Sequence, residues 1–229
     1  MKVFVAGATG LTGRFVVEAL RESGVDVWAH VRPDSQRLDE WSAHFGSLGA
    51  EVDTTAWTPE AMGARFEEEP PDLVFSLLGT TKKRQKSRGD GDYMTVDFGM
   101  TAMLIDALQR HQSTRFVYLS SIGTKEGASS AYMKPRWLSE EHLRNSGLPH
   151  LIARPSFILG ERDEARLGET IGGGVSKLIM GGVGLLGGRK FARRMGSITG
   201  RELGFGLVRE ALAWSDNNRT LHSDELREG

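Results

Sequence analysis

The strongest chemical signal in this 229-residue chain is a glycine-rich turn close to its start, directly after a short apolar run at residues 3–6. The turn consists of Gly7, Ala8, Thr9, Gly10, Leu11, Thr12 and Gly13. In a strand–turn–helix unit the first glycine permits the tight turn, the second lets the backbone approach a pyrophosphate, and the third lets the helix pack on the strand. The free N–H groups that begin such a helix attract phosphate oxygens. The motif therefore predicts a dinucleotide site to which all seven residues contribute.

The end of the second predicted strand, residues 25–31, indicates which dinucleotide is bound. Arg32 follows this strand directly and Arg37 lies close behind, while Asp34 falls beyond the position where NAD-selective folds place an acidic residue. A guanidinium pairs bidentately with a 2′-phosphate but gains little from a bare hydroxyl. We therefore expect Arg32 and Arg37 to bind the cofactor, and NADP(H) to be favoured over NAD(H).

The composition argues against several other kinds of site. The chain has no cysteine, and its six histidines show no metal-ligand spacing, so no metal is expected. A formal net charge of −1 provides no general attraction to nucleic acid or to an anionic membrane. The basic run at residues 82–88 has no interleaved aromatic residues. We interpret it as a solvated loop that could attract an anionic cofactor or substrate, rather than as a nucleic-acid patch.

The elements that must position these residues follow from the alternation of apolar runs and amphipathic stretches. The predicted strands are residues 3–6, 25–31, 50–54, 73–78, 116–119 and 148–153. The predicted helices are residues 11–22, 36–45, 60–66, 93–111 and 133–145. Such alternation predicts an α/β fold, a doubly wound, mostly parallel sheet of the Rossmann type, with all 229 residues in one domain.

The last part of the chain, residues 165–229, is predicted to form a small portion on the substrate side of that domain. Glycine is dense at residues 168–188, and we interpret this stretch as a flexible flap over the cleft. Helical spacing returns at residues 198–214. The final residues, 216–229, are polar, with only Leu221 and Leu226 to pack.

Further residues extend the glycine turn into a family pattern. Ser120 and Ser121 follow the fifth predicted strand, and Tyr132 is followed four residues later by Arg136. With the G-A-T-G-x-x-G turn, this order resembles the extended and atypical branches of the short-chain dehydrogenase/reductase superfamily. The resemblance implies that Ser121, with Ser120 as a less favoured choice, polarises a carbonyl. It also implies that Tyr132 supplies the proton and that Arg136 stands where the family has a ribose-anchoring lysine.

The arginine at position 136 is a departure from that pattern. Residues i and i+4 share a helical face, so Arg136 is the geometric counterpart of the lysine, whereas Lys134 could reach the site only from an irregular first turn. Pro135 is compatible with a helix only in its first turn, which places Tyr132 at the helix start. A fixed cation beside Tyr132 favours proton transfer, but an arginine cannot give up its proton in a relay.

Other segments narrow the resemblance to the compact atypical reductases similar to the Tat-interacting-protein oxidoreductases and their bacterial relatives. They are Leu77-Leu78-Gly79-Thr80-Thr81, Tyr93 to Asp97, and the stretch from Arg154 to Arg162 that begins Arg-Pro-Ser. The resemblance implies that Leu78, Gly79 and Thr80 lie along the cofactor ribose and that Pro155 and Ser156 meet the nicotinamide. Asp97 stands roughly where many members carry an asparagine, and its role is left open at this point.

These observations favour an oxidoreductase that moves a hydride between NADP(H) and a small carbonyl or alcohol substrate. A non-enzymatic NADP(H)-sensing regulator is the main alternative, because a sensor tolerates the arginine, and sugar-nucleotide epimerase or dehydratase chemistry is a third. The first residues offer too short an apolar run for a signal peptide, and no segment has the roughly 20 apolar residues of a membrane helix. We expect a cytoplasmic protein without stable membrane insertion, either a monomer or a homodimer.

Overall fold

The computed structural model describes residues 1–79, 93–159, 196–215 and 218–227. Thr80, the basic run 82–88 and the glycine-rich stretch 168–188 lie outside the described residues, so the flap stays a prediction, as does the single domain. The strands are β1 (Lys2–Ala6), β2 (Asp26–His30), β3 (Glu51–Asp53), β4 (Leu73–Ser76), β5 (Arg115–Leu119), β6 (His150–Arg154), β7 (Ile158–Leu159), β8 (Ile198–Thr199) and β9 (Arg219–His222). The helices are α1 (Gly13–Glu22), α2 (Leu38–Ser47), α3 (Pro59–Glu68), α4 (Met100–Ala107), α5 (Met133–Asn145), α6 (Gly200–Ala213) and α7 (Ser223–Leu226).

Seven of the strands form one parallel sheet in the order β3-β2-β1-β4-β5-β6-β9. Its centre is in register through Val5, which aligns with Ala29 of β2 on one side and with Phe75 of β4 on the other. The strand order reverses between β1 and β4, which in such sheets creates a crevice at the carboxyl ends of the strands. The predicted doubly wound Rossmann-type fold is confirmed.

Alternating residues of the central strands build a core on each face of the sheet. Val3 and Val5 of β1 pack with α1 and α6, whereas Phe4 and Ala6 face the layer that contains α3 and α4. This two-sided burial explains why the strands are apolar at nearly every position. Among the described helices, none combines the length and the apolar character needed to cross a membrane.

The C-terminal part of the described chain supports the glycine turn. Helix α6 packs along α1, and a Cβ atom added at Gly204 would lie 2.7 Å from Cβ of Phe15. One turn earlier, a Cβ atom on Gly200 would lie 3.0 Å from the carbonyl oxygen of Leu11, which belongs to the turn itself. Small residues in α6 therefore let this helix approach the turn closely.

Several elements differ from the sequence prediction, and the short elements β7, β8 and α7 are among those that were not predicted. The predicted helix 93–111 begins with a π-helical turn, Met94–Gly99, before α4. The helix predicted at 198–214 begins at Gly200, because Thr199 caps it and Ile198–Thr199 pairs with β7 instead. Strand β9 was not predicted at all. Only Leu221 of this edge strand is fully buried, and one buried residue leaves no periodic pattern.

Candidate functional site

The glycine turn has the geometry that a phosphate group requires. Gly7 has φ of +81° and accepts a hydrogen bond from the N–H of Gly10 at 2.9 Å. A Cβ atom on Gly7 would lie 2.7 Å from the carbonyl oxygen of Leu77, and one on Gly13 only 2.1 Å from the carbonyl oxygen of Gly7. Helix α1 has neither a side-chain cap from Thr12 nor an acidic residue in its first turn. Neither kind of group therefore competes with an anion at the start of α1, which the positive end of the helix dipole favours.

A groove of about 730 Å³ opens beside this turn at the carboxyl ends of the strands. Seven of the predicted cofactor residues line it: Gly7, Thr9, Gly10, Arg32, Arg37, Leu78 and Gly79. Four others belong to the turn but are not among the described residues that line the groove: Ala8, Leu11, Thr12 and Gly13. The groove has the size and place of a cofactor site in an open α/β sheet.

The two arginines at the end of β2 both reach the groove. The side chain of Arg32 is 39% exposed, and its Nε lies 3.7 Å from Oδ1 of Asp34. The Nε of Arg37 donates a hydrogen bond of 2.6 Å to Glu40, and its guanidinium lies 5.0 Å from the ring centre of Trp41. Two cations thus stand beside the groove, each with a carboxylate neighbour.

Aromatic residues that sequence reasoning did not single out also line this groove. His30, the last residue of β2, donates from Nε2 to the carbonyl oxygen of Thr55 at 2.8 Å, and its ring centre lies 4.8 Å from that of Trp57. Burial lowers the pKa of His30, against the raising effect of the Thr55 hydrogen bond, so the ring is neutral at pH 7. Both residues follow or end a strand, and the rule that ligands bind at carboxyl ends could have found them.

Tyr132 and Arg136 meet at the start of α5. The helix begins at Met133, so the predicted place of Tyr132 at the helix start is confirmed. The guanidinium carbon of Arg136 lies 3.8 Å from the ring centre of Tyr132, and its Nη1 donates to the carbonyl oxygen of Tyr132 at 2.9 Å. Lys134, the alternative cation, is exposed. The i, i+4 geometry therefore brings the arginine, rather than the lysine, to the tyrosine.

Asp97 supplies the partner of Arg136. Its Oδ1 lies 2.8 Å from Nη1 of Arg136, and the two side chains are only 1% and 8% exposed. The π-helical turn carries Asp97 to this position, and Ser139 of α5 donates to its carbonyl oxygen at 3.2 Å. Gly79 closes the set, since a Cβ atom there would lie 3.7 Å from Nη2 of Arg136. The role left open for Asp97 in the sequence is thus a buried ion pair.

Of the three tyrosines in the chain, Tyr132 is the one open to solvent. Its side chain is 40% exposed, whereas Tyr93 and Tyr118 are buried. Burial raises the pKa of Tyr118, so its phenol keeps its proton. The ring of Tyr93 packs edge-on against that of Tyr132 at 5.6 Å. Neighbouring side chains therefore hold the ring of Tyr132 in place, while the residue stays partly exposed to solvent.

The two serines after β5 have different surroundings. Ser120 is buried, and its hydroxyl donates to Oε1 of Glu140 at 2.6 Å. Ser121 is half-buried, with its Oγ at 3.4 Å from the carbonyl oxygen of Ile122. This loop contacts the start of α5, since the Thr124 hydroxyl lies 3.8 Å from the sulfur of Met133. The hydroxyl of Ser120 is committed to Glu140, which favours Ser121 as the residue that faces a substrate.

Glu140 is the centre of a buried polar cluster that sequence reasoning missed. It is fully buried and accepts hydrogen bonds from Ser120, Arg144 and Arg154. Burial acts to raise the pKa of Glu140, but these hydrogen bonds together outweigh it and lower the pKa below its usual range. The cluster joins β5, α5 and β6, and it fixes the ends of both strands beside the site.

The segment after β6 is tied to the C-terminal helix. Ser156 is buried, its N–H donates to Oγ of Ser223 at 2.8 Å, and its hydroxyl donates to the carbonyl oxygen of Gly196. Pro155 accepts from the N–H of Ile122 at 2.8 Å. Neither residue lines the described groove, so their predicted nicotinamide contact stays a prediction. Phe157, which was not predicted, is 74% exposed beside them.

The fold and the groove together define a Rossmann-type protein that binds NAD(P). Residues 7–177 match the family model described as NAD(P)H-binding, and the chain belongs to that family. Within the described residues, no three His, Asp or Glu side chains are grouped as a metal ion would require.

The chain is similar to known proteins that differ in activity. It is 27% identical over 175 residues to the mitochondrial protein FMP52 of Candida albicans, covering 75% of this chain and 73% of that one. A Bacillus halodurans structure provisionally named an NAD-dependent epimerase/dehydratase matches with a TM-score of 0.69 at 17% identity, covering 99% and 98% of the two chains. Triphenylmethane reductase of Citrobacter sp. with NADP(H) matches with a TM-score of 0.62 at 15% identity, covering 98% and 70%. The fold is compatible with an oxidoreductase and with an epimerase.

The expected cytoplasmic location is wrong by this comparison. The Candida relative and its counterparts from other fungi are named as mitochondrial proteins. The expectation was based on the short apolar run at the N-terminus. The length of such a run indicates whether a secretory signal peptide is present, but it gives no information on other destinations.

Proposed function

We propose that this protein is an NADP(H)-dependent oxidoreductase of the short-chain dehydrogenase/reductase type, acting on a small carbonyl or alcohol. Within that superfamily it most resembles the atypical reductases similar to the Tat-interacting-protein oxidoreductases. The observation that carries the proposal is the position of Gly79, which lines the groove and also lies against the Arg136–Asp97 pair. Through Gly79, the groove beside the glycine turn therefore reaches the ion pair that packs against Tyr132.

The residues of the groove fit the proposed cofactor. The uncapped start of α1 suits the pyrophosphate, and the cradle formed by Gly7 leaves no room for a side chain. Arg32 and Arg37 offer the charge that a 2′-phosphate needs. When bound, NADPH supplies the hydride.

The chain's own groups would handle the oxygen of the substrate. Ser121 would donate a hydrogen bond to the carbonyl, and the Tyr132 phenol would give its proton to the same oxygen. Arg136 stacks on the Tyr132 ring and holds it in place. Because arginine keeps its proton, the phenol must recover one by another route. Its 40% exposure allows exchange with water directly.

The cofactor preference is tested by binding. We expect the wild-type protein to bind NADP⁺ more tightly than NAD⁺ in calorimetry. Arg32→Ala should weaken NADP⁺ binding by about 10- to 100-fold, because a charged hydrogen bond to the phosphate is lost, and should leave NAD⁺ binding nearly unchanged. Arg110→Ala, which removes an exposed arginine that lies outside this groove, is the matched control. Equal loss for both dinucleotides would contradict the assignment of Arg32.

A second candidate, a non-enzymatic NADP(H) sensor, is favoured by one observation. Asp97 lies 2.8 Å from Arg136 and compensates its charge, so the pair gives Tyr132 little net positive field. A reductase would gain more from an uncompensated cation at this place, whereas a sensor has no need of one.

Turnover separates the two candidates. With NADPH and a panel of small aldehydes, ketones and quinones, we expect the wild-type protein to oxidise NADPH, followed at its absorbance near 340 nm. Tyr132→Phe should lower kcat/KM by about 100-fold or more, the usual contribution of a general acid, without weakening NADP⁺ binding. Tyr93→Phe, which removes the neighbouring buried phenol, is the control. Unchanged turnover in Tyr132→Phe would refute the catalytic role, and NADP⁺ binding without any turnover would favour the sensor.

A further inference from the structure

Each arginine of the groove has a carboxylate neighbour, and the two contacts differ in kind. Arg32 and Asp34 make a loose contact of 3.7 Å. Arg37 instead presents two donors to Glu40: its Nε donates to Oε2 at 2.6 Å, and its Nη2 donates to Oε1. The second contact is a bidentate fork, which uses one whole edge of the guanidinium.

The fork is held in place by the start of α2. Arg37, Glu40 and Trp41 stand at i, i+3 and i+4, so they share one face of the first helical turn. The Trp41 ring lies 5.0 Å from the guanidinium of Arg37. The hydrogen bond from Arg37 lowers the pKa of Glu40, so the carboxylate is charged at neutral pH.

A phosphate and a carboxylate compete for the same donors. Both present two oxygens in a plane, and both match the edge formed by Nε and one Nη. Arg37 lines the groove, whereas Glu40 does not. A 2′-phosphate that enters the groove must therefore displace Glu40 from this edge or accept only the remaining donors of Arg37.

We propose that Glu40 is a specificity-determining residue that restrains the preference for NADP(H), because it competes with the 2′-phosphate for Arg37 while Arg32 makes the main contact. This inference rests on the proposed function, in which the groove binds NADP(H). Its consequence is a protein whose discrimination between NADP(H) and NAD(H) is smaller than two groove-lining arginines would otherwise give.

The test is Glu40→Gln, which keeps the size of the side chain and removes its charge. We expect the affinity for NADP⁺, and for its fragment 2′,5′-ADP, to rise about two- to fivefold, in keeping with the weakness of exposed ion pairs. The affinity for NAD⁺ and for 5′-ADP should stay constant. Asp39→Asn is the matched control, since it removes the same charge from the same helical turn and the Arg37 fork remains.

The outcomes separate this inference from the proposed function. A wild-type protein that binds neither dinucleotide overturns both. If NADP⁺ binds but Glu40→Gln behaves like Asp39→Asn, or binds NADP⁺ more weakly, only the role of Glu40 is overturned. The double variant Arg37→Ala/Glu40→Gln should lose the gain, and a gain that persists without Arg37 would also refute the proposal.

Discussion

Replacing Gly13 with alanine is expected to weaken NADP⁺ binding by about 100-fold, which corresponds to about 2.7 kcal/mol. It should also lower the free energy of unfolding by about 3 kcal/mol. The added Cβ atom would lie 2.1 Å from the carbonyl oxygen of Gly7 and 2.9 Å from Cα of Ala8. Both neighbours are backbone atoms, so α1 must move away from β1, and the phosphate-binding N–H groups move with it.

Calorimetry with NADP⁺ and urea denaturation together measure both effects. Gly63→Ala is the matched control, because Gly63 lies inside α3 and a Cβ atom there meets nothing within 4 Å. That substitution should raise the free energy of unfolding by about 0.5–1 kcal/mol, since alanine loses less backbone entropy in a helix. If Gly13→Ala binds NADP⁺ like the wild-type protein, the close approach of α1 to β1 is not what shapes the phosphate site.

The second large effect is expected at the buried ion pair. Arg136→Met should lower the free energy of unfolding by about 3–5 kcal/mol, because Asp97, only 1% exposed, loses the cation that lies 2.8 Å from its carboxylate. Urea denaturation of the wild-type protein and the variant measures the difference.

The double variant Asp97→Asn/Arg136→Met isolates the pair. We expect it to be more stable than the sum of the two single losses implies, with a coupling of about 2 kcal/mol. Strictly additive losses would mean that the two groups do not interact across their 2.8 Å separation. Arg136→Lys keeps the charge and should cost less than Arg136→Met, because the ammonium still faces Asp97 although it cannot form the same planar contact.

The sequence predicted the parts of the site that depend on local chemistry. The strand, the glycine turn and the start of α1 are adjacent in the chain, so their order is enough to indicate a phosphate site. The helix start at Tyr132 followed from Pro135, whose ring permits a helix only in the first turn. The bounds of α5, Met133–Asn145, were predicted correctly because a strong local signal marks its first turn.

Contacts between distant residues were beyond the sequence. Asp97 and Arg136 are 39 positions apart, and their pairing depends on a π-helical turn that leaves no periodic signal. The hydrogen bond that engages the Ser120 hydroxyl is accepted by Glu140, which approaches from α5. The burial of Ser156 depends on Ser223, a polar residue of the C-terminal segment in which only Leu221 and Leu226 were expected to pack.

The sequence by itself determined the class of the protein. Apolar strands alternate with amphipathic helices, and a glycine turn between the first pair specifies both the parallel sheet and its phosphate-binding end, since these are short-range properties of the backbone. The tertiary structure alone decided which charges are compensated. Asp97 joins Arg136 and Glu140 joins Arg154, and such pairing depends on where folding places side chains and on how much water it excludes.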